Sequence, residues 1–169
     1  LEQTKPDVVI LCPAASKHGE WVKKVAPYGP HIMVEKPFAG TLKEADAMIA
    51  AMPKNRTLMI NWPLQWVRSH RKAFELVDTG LIGEVMNLWH FGGNRGPLFH
   101  GADKDVKSPA QVAAEKPHSW FYHKAHGGGS LLDYLGYGTT LCTWYQEGKR
   151  PIEVTAVMDE PAGLEVDEH

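Results

Sequence analysis

Three stretches of the chain hold residue types able to move a proton or seat a ligand. The first is Glu35-Lys36-Pro37, directly after the apolar run His31-Ile32-Met33-Val34. A lysine at the carboxyl end of a buried strand stands where open α/β sheets bind their ligands. A lysine that loses part of its hydration there can exchange a proton with a substrate hydroxyl. Position alone leaves a second reading open, a surface lysine paired with Glu35. The tripeptide recurs as Glu115-Lys116-Pro117 with no strand before it, so strand context is what favours Lys36.

The second stretch runs Gly127-Gly128-Gly129-Ser130-Leu131-Leu132-Asp133-Tyr134-Leu135-Gly136-Tyr137-Gly138. If it enters a helix, Asp133 and Tyr137 are four apart and share a face. A carboxylate can orient a substrate or accept a proton, and a phenol can donate one. Gly136 and Gly138 each cost a helix about 1 kcal/mol relative to Ala, which points to close approach by a ligand or a backbone. Helix packing with a buried, hydrogen-bonded Asp133 is compatible with the same pattern. The third stretch, Cys12-Pro13-Ala14-Ala15-Ser16-Lys17-His18, follows the apolar run Val8-Val9-Ile10-Leu11. It is a second carboxyl strand end, suited to a dinucleotide or serving only as a strand-to-helix loop. His118, His123 and His126 match no usual zinc spacing and have no cysteine nearby, so no metal site is expected.

These residues need a scaffold. Residues 7–11, 31–34 and 57–60 are short, β-branched apolar runs, which read as strands buried on both faces. Helices are expected over residues 17–26 and after Thr41-Leu42-Lys43-Glu44, where the Thr41 hydroxyl and Glu44 carboxylate form a capping box. The order strand, helix, strand, helix, strand implies a parallel sheet with right-handed crossovers. Beyond Asn61 the rhythm changes. A helix is expected over residues 65–78, stopped by Gly80, then a strand over 84–91. Residues 92–118 read as a long loop, 130–146 as a helix and 151–158 as a strand. The fold class is α/β: the second half of a Rossmann-type parallel sheet over residues 1–60, then part of an α/β substrate and oligomerisation domain with a largely antiparallel sheet over 61–169.

Composition narrows the function classes. The chain has 169 residues, and 18 Lys+Arg against 20 Asp+Glu give a formal net charge of −2. No broad positive field is available for nucleic acid or an anionic membrane. No apolar run approaches the ~20 residues of a membrane helix. Cys12 and Cys142 form no motif and read as reduced thiols of a cytoplasmic protein.

In their order along the chain, the segments resemble the glucose–fructose oxidoreductase and inositol dehydrogenase family (Gfo/Idh/MocA). Pro6-Asp7-Val8-Val9-Ile10 through Cys12-Pro13 and His18 resembles its fourth Rossmann strand and following turn. Glu35-Lys36-Pro37 resembles its signature after the fifth strand. Gly80-Leu81-Ile82-Gly83-Glu84-Val85 resembles its helix-to-strand junction, and Gly127 through Asp133 its substrate helix.

The resemblance implies NAD(P)-dependent oxidation or reduction of a sugar, cyclitol or related polyol, by a homo-oligomer. Lys36, Asp133 and Tyr137 would be catalytic, and with Trp120 would bind substrate. Cys12, Pro13, His18, Glu35 and Lys36 would line the NAD or NADP cofactor. Tyr137 stands where many members have His, and Leu135 where Gly is more usual, which leaves the proton-transfer group open between Lys36 and Tyr137. The resemblance also places a Gly-x-Gly-x-x-Gly phosphate turn before Leu1. The chain is accordingly expected to be an internal fragment, inactive alone, of an active parent. Two relatives of the same fold give other expectations: a dinucleotide-binding sugar-pathway repressor, and an NAD-dependent glycosidase.

Overall fold

A computed structural model describes residues 1–93, 98, 107–158, 161 and 163–167. It divides into two compact units. One comprises Leu1–Trp62 with Ala125–Gly127, the other Pro63–Lys124 with Gly128–His169.

In the first unit, β1 (Val8–Leu11), β2 (His31–Glu35) and β3 (Leu58–Asn61) form a parallel sheet in the order β1-β2-β3. The register pairs Leu11 with Val34 and Val34 with Ile60, so the three carboxyl ends finish level with one another. The connections are α1 (His18–Val25) and α2 (Leu42–Ala51). A sheet that grows in one direction through right-handed crossovers receives both helices on one face. Leu11, Ile32 and Val34 from that face pack with Val22 and Val25 of α1 and Met48 of α2. Those buried side chains are the main stabilising term of the unit.

The opposite face corrects one expectation. β1 is not buried on both sides, for Val8 and Ile10 are 55% and 62% exposed. Both helices lie across the sheet from them. The start of α2 follows the capping expectation in part. Glu44 N–H donates to the Thr41 hydroxyl at 3.1 Å. The Glu44 carboxylate reaches past its own cap, accepting from Gly40 N–H at 3.2 Å and from Gly19 N–H of α1 at 3.3 Å. One carboxylate thus ties two helix starts together.

The second unit contains α3 (Arg68–Asp78), α4 (Pro109–Glu115) and α5 (Ser130–Tyr145). Gly80, at φ 73°, ends α3 in the left-handed conformation that glycine adopts without strain. α3 and α5 pack through Phe74 and Trp144, whose rings stack at 4.6 Å, and through Tyr145, whose hydroxyl donates to the His70 carbonyl at 3.2 Å. Two expectations fail here. Residues 109–115 are helical rather than loop, begun by a complete Ser108–Gln111 capping box with Pro109 in the first turn. Residues 84–91 and 151–158 form no strand, so the antiparallel sheet is not seen among the described residues. Ile152, Val154 and Val157 are exposed. Alternating apolar residues become a strand only when another strand supplies hydrogen bonds. Residues 94–97 and 99–106, within the expected loop, lie outside the described residues.

Candidate active site

The carboxyl edge of the first sheet gathers the first-unit candidates. Cys12 follows β1 and is exposed, and Pro13 beside it is half-buried. Glu35 ends β2, and Lys36, next along, is half-buried. The Lys36–Pro37 peptide bond is cis. The Glu35 carboxylate is held from two directions. Lys36 N–H donates to Oε2 at 3.2 Å, and the Asn61 side-chain amide donates to Oε1. Because β2 and β3 pair with Glu35 opposite Asn61, this bond crosses the sheet at its last rung. It fixes the backbone from which Lys36 projects.

His18 joins the two turns of this edge. Its Nδ1 lies 2.9 Å from the Pro37 carbonyl and its Nε2 3.2 Å from the Pro13 carbonyl. The ring is fully buried. It links the turn that carries Pro13 to the turn that carries Lys36. A separate open cleft of about 540 Å³ in this unit is lined by Lys5, Asp7, His31 and Arg56. It lies at the amino ends of the strands, opposite the edge that bears Lys36.

The second unit positions Asp133 and Tyr137 on α5. Both are half-buried, and their spacing places them one turn apart on the same face. Tyr137 packs beside Tyr134, with ring centroids 5.5 Å apart. The glycines of this helix differ. A Cβ at Gly138 would meet the His90 ring at 2.9 Å, whereas one at Gly136 would have nothing within 4 Å. Close approach therefore explains Gly138 and not Gly136. Trp120 is 41% exposed and packs edge-on against Phe121 at 5.7 Å.

The second tripeptide has different surroundings. Glu115 ends α4 and pairs with Lys107, and the Lys116 ammonium lies over the Tyr122 ring at 5.3 Å. His123 directs Nε2 toward the Pro117 carbonyl at 2.7 Å. Among the described residues no group of three His, Cys, Asp or Glu side chains is placed to hold a metal ion. No helix among them is long and apolar enough to cross a membrane.

Residues 1–61 match the oxidoreductase family with an NAD-binding Rossmann fold, Gfo/Idh/MocA. Over those residues the chain belongs to this family. The dTDP-3,4-didehydro-2,6-dideoxy-alpha-D-glucose 3-reductase of Actinomadura kijaniata is 30% identical over 89 residues, 52% of this chain and 27% of that protein. The D-xylose 1-dehydrogenase [NADP(+)] of Haloarcula marismortui is 26% identical over 132 residues, 77% of this chain and 32% of that one. The crystal structure of aldose-aldose oxidoreductase from Caulobacter crescentus, complexed with glycerol, superposes with a TM-score of 0.64 at 25% identity, covering 86% of this chain and 39% of that one. The chain thus spans a third or less of the length of these two curated relatives.

Gfo/Idh/MocA proteins carry a dinucleotide-binding unit, and the carboxyl edge of β1 and β2 has chemistry that fits a nicotinamide. Cys12, Pro13 and Pro37 offer weakly polar surface for a flat ring, while Lys36 and Glu35 add a donor and an acceptor. Sequence reasoning did not single out Asn61 or Asp167, whose partners lie 26 and 36 residues away. Asn61 could have been found from its place at a third carboxyl strand end.

Proposed function

We propose that this chain carries the reactive core of an NAD(P)-dependent oxidoreductase acting on a carbinol carbon of a sugar, cyclitol or related polyol. One observation carries the reading. Lys36 stands at the carboxyl edge of a parallel sheet, in a Gfo/Idh/MocA unit, beside a carboxylate clamped by Asn61 and by the amide of Lys36 itself. NAD or NADP, when bound, supplies hydride exchange at its nicotinamide ring. The residues of the chain do the rest. Cys12, Pro13, His18, Glu35 and Lys36 line the nicotinamide side of the cofactor, and His18 also joins the turns of Pro13 and Lys36. Lys36 binds the reacting hydroxyl and moves its proton. Asp133 orients the polyol by accepting from its hydroxyls. Tyr137, one turn further along α5, is the alternative proton-transfer group, and Trp120 a substrate-binding residue. A hydroxyl-rich neutral substrate suits the near-balanced charge of the chain.

The deciding experiment incubates the full-length protein with NAD+ or NADP+ and a panel of aldoses and cyclitols, following reduced nicotinamide by absorbance. Turnover that falls at least a hundredfold in Lys36→Ala supports the assignment, within the usual range for a positioned acid–base group. Dinucleotide binding with no turnover on any member would replace the enzyme with a sensor. Glycoside cleavage without net reduction of the cofactor would replace it with a glycosidase.

A further inference from the structure

α5 begins without a cap of its own. Its N-cap is Gly129, at φ 99°, which has no side chain to accept from the free amides of the first turn. Such amides need acceptors, and a side-chain oxygen commonly supplies one. Here the acceptor comes from 36 residues away. Leu131 N–H donates to Asp167 Oδ2 at 2.6 Å. Ser130 N–H donates to the Asp167 backbone carbonyl at 3.3 Å. A carboxylate at this end of a helix is also favoured by the helix dipole.

The residues around Asp167 hold it there. Val166 is buried against Phe121 and Tyr122. The Phe121 carbonyl in turn accepts from Gly129 N–H at 2.8 Å. A Cβ on Gly129 would meet Asp167 Oδ1 at 2.7 Å and Val166 Cβ at 3.1 Å, so the turn and the 166–167 segment are fitted to each other. Asp133 lies two residues beyond Leu131, and its amide donates to the Gly129 carbonyl at 3.1 Å. The place of the Asp133 carboxylate therefore depends on how the first turn of α5 is pinned.

We propose that Asp167 is a positioning residue: by capping α5 at Leu131, it sets where Asp133 meets the substrate. The inference rests on reading α5 as the substrate helix. Its action is through backbone, so truncation and conservative replacement should separate.

The test compares the whole protein with Asp167→Ala, Asp167→Asn and, as a control on the same segment, Glu165→Ala. Amide hydrogen exchange is followed at Leu131 by NMR, and kcat and KM are measured on the best polyol. Asp167→Ala should speed Leu131 exchange about tenfold, the usual loss for one helix cap, and lower kcat by a similar factor. The dinucleotide KM and the exchange of β2 amides should not change. Asp167→Asn keeps an acceptor oxygen and should recover most of both losses, and Glu165→Ala should leave both at the unmodified level. Unchanged Leu131 exchange in Asp167→Ala, equal losses in the Ala and Asn variants, or the same loss in Glu165→Ala would each overturn the proposal. If Asp167→Ala does not fold, Asp167→Glu takes its place with the same expectations, since one added methylene displaces the oxygens. Absence of polyol turnover in the unmodified protein would sink the assigned function alone, because the exchange measurements still decide the cap.

Discussion

Asn61, the last residue of β3, donates its side-chain amide to the carboxylate of Glu35, the last residue of β2. The bond closes the sheet at the edge where Lys36 emerges. With one Glu35 oxygen on Asn61 and the other on the Lys36 amide, the carboxylate shapes the turn. Asn61→Ala should therefore lower kcat about tenfold, less than removal of Lys36. Asn61→Asp should be worse than Ala, since two carboxylates would face one another. Steady-state kinetics of the three variants test the order, and an Asp variant as active as the unmodified protein would refute it.

Ile32 is 1% exposed and sits in the middle strand between the β1 and β3 partners. Ile32→Ala is expected to cost about 2–5 kcal/mol, and Ile32→Val about 0.5–1.5 kcal/mol. Val8→Ala should cost far less, because Val8 is on the uncovered face. Urea unfolding of the three variants gives the comparison. Equal losses at Ile32→Ala and Val8→Ala would mean that the uncovered face is buried in the protein.

The glycines at 128 and 136 should respond with opposite signs to alanine. At Gly128 a Cβ would lie 2.1 Å from the Phe121 carbonyl oxygen, a backbone atom that cannot swing aside. Gly128→Ala should therefore displace the start of α5 and lower stability by more than about 2 kcal/mol. Gly136 is helical with open space around it, so Gly136→Ala should gain about 0.5–1 kcal/mol. Thermal melts decide, and a destabilised Gly136→Ala would reveal a neighbour at that position.

Tyr145 gives the second unit a dependence on alkaline pH. Burial holds its phenol above the ordinary value of about 10, which favours the protonated form in the folded state. Folding therefore binds that proton more tightly than the unfolded chain does. The associated stability is complete below the unfolded value and is lost as pH rises through the folded one. Tyr145→Phe should remove that alkaline loss, at the cost of about 1 kcal/mol for the bond to the His70 carbonyl. Unfolding free energies measured from pH 8 upward, to about pH 11, should converge between the two proteins. Parallel curves would contradict the assignment.

Local pattern was enough for the parallel strands and their helices. β-branched runs of four or five residues, separated by amphipathic helices, can be read without any long-range contact. The Thr41 cap and the Gly80 stop are local chemistry of the same kind, and α4 carried an equally legible Ser108–Gln111 signal. The candidate residues Lys36, Asp133 and Tyr137 were found because strand ends and helix faces follow from sequence spacing. What depends on distant partners was not legible. The burial of β1 on one face reflects the placing of both helices across the sheet. Residues 84–91 and 151–158 have strand-like sequence, yet strands form only where another strand supplies hydrogen bonds. The clamps at this chemistry, Asn61 on Glu35, His18 on Pro13 and Pro37, and Asp167 on Leu131, join residues that only folding brings within hydrogen-bonding range. Residue type and spacing determine which groups can react, and tertiary packing decides which backbone holds them still.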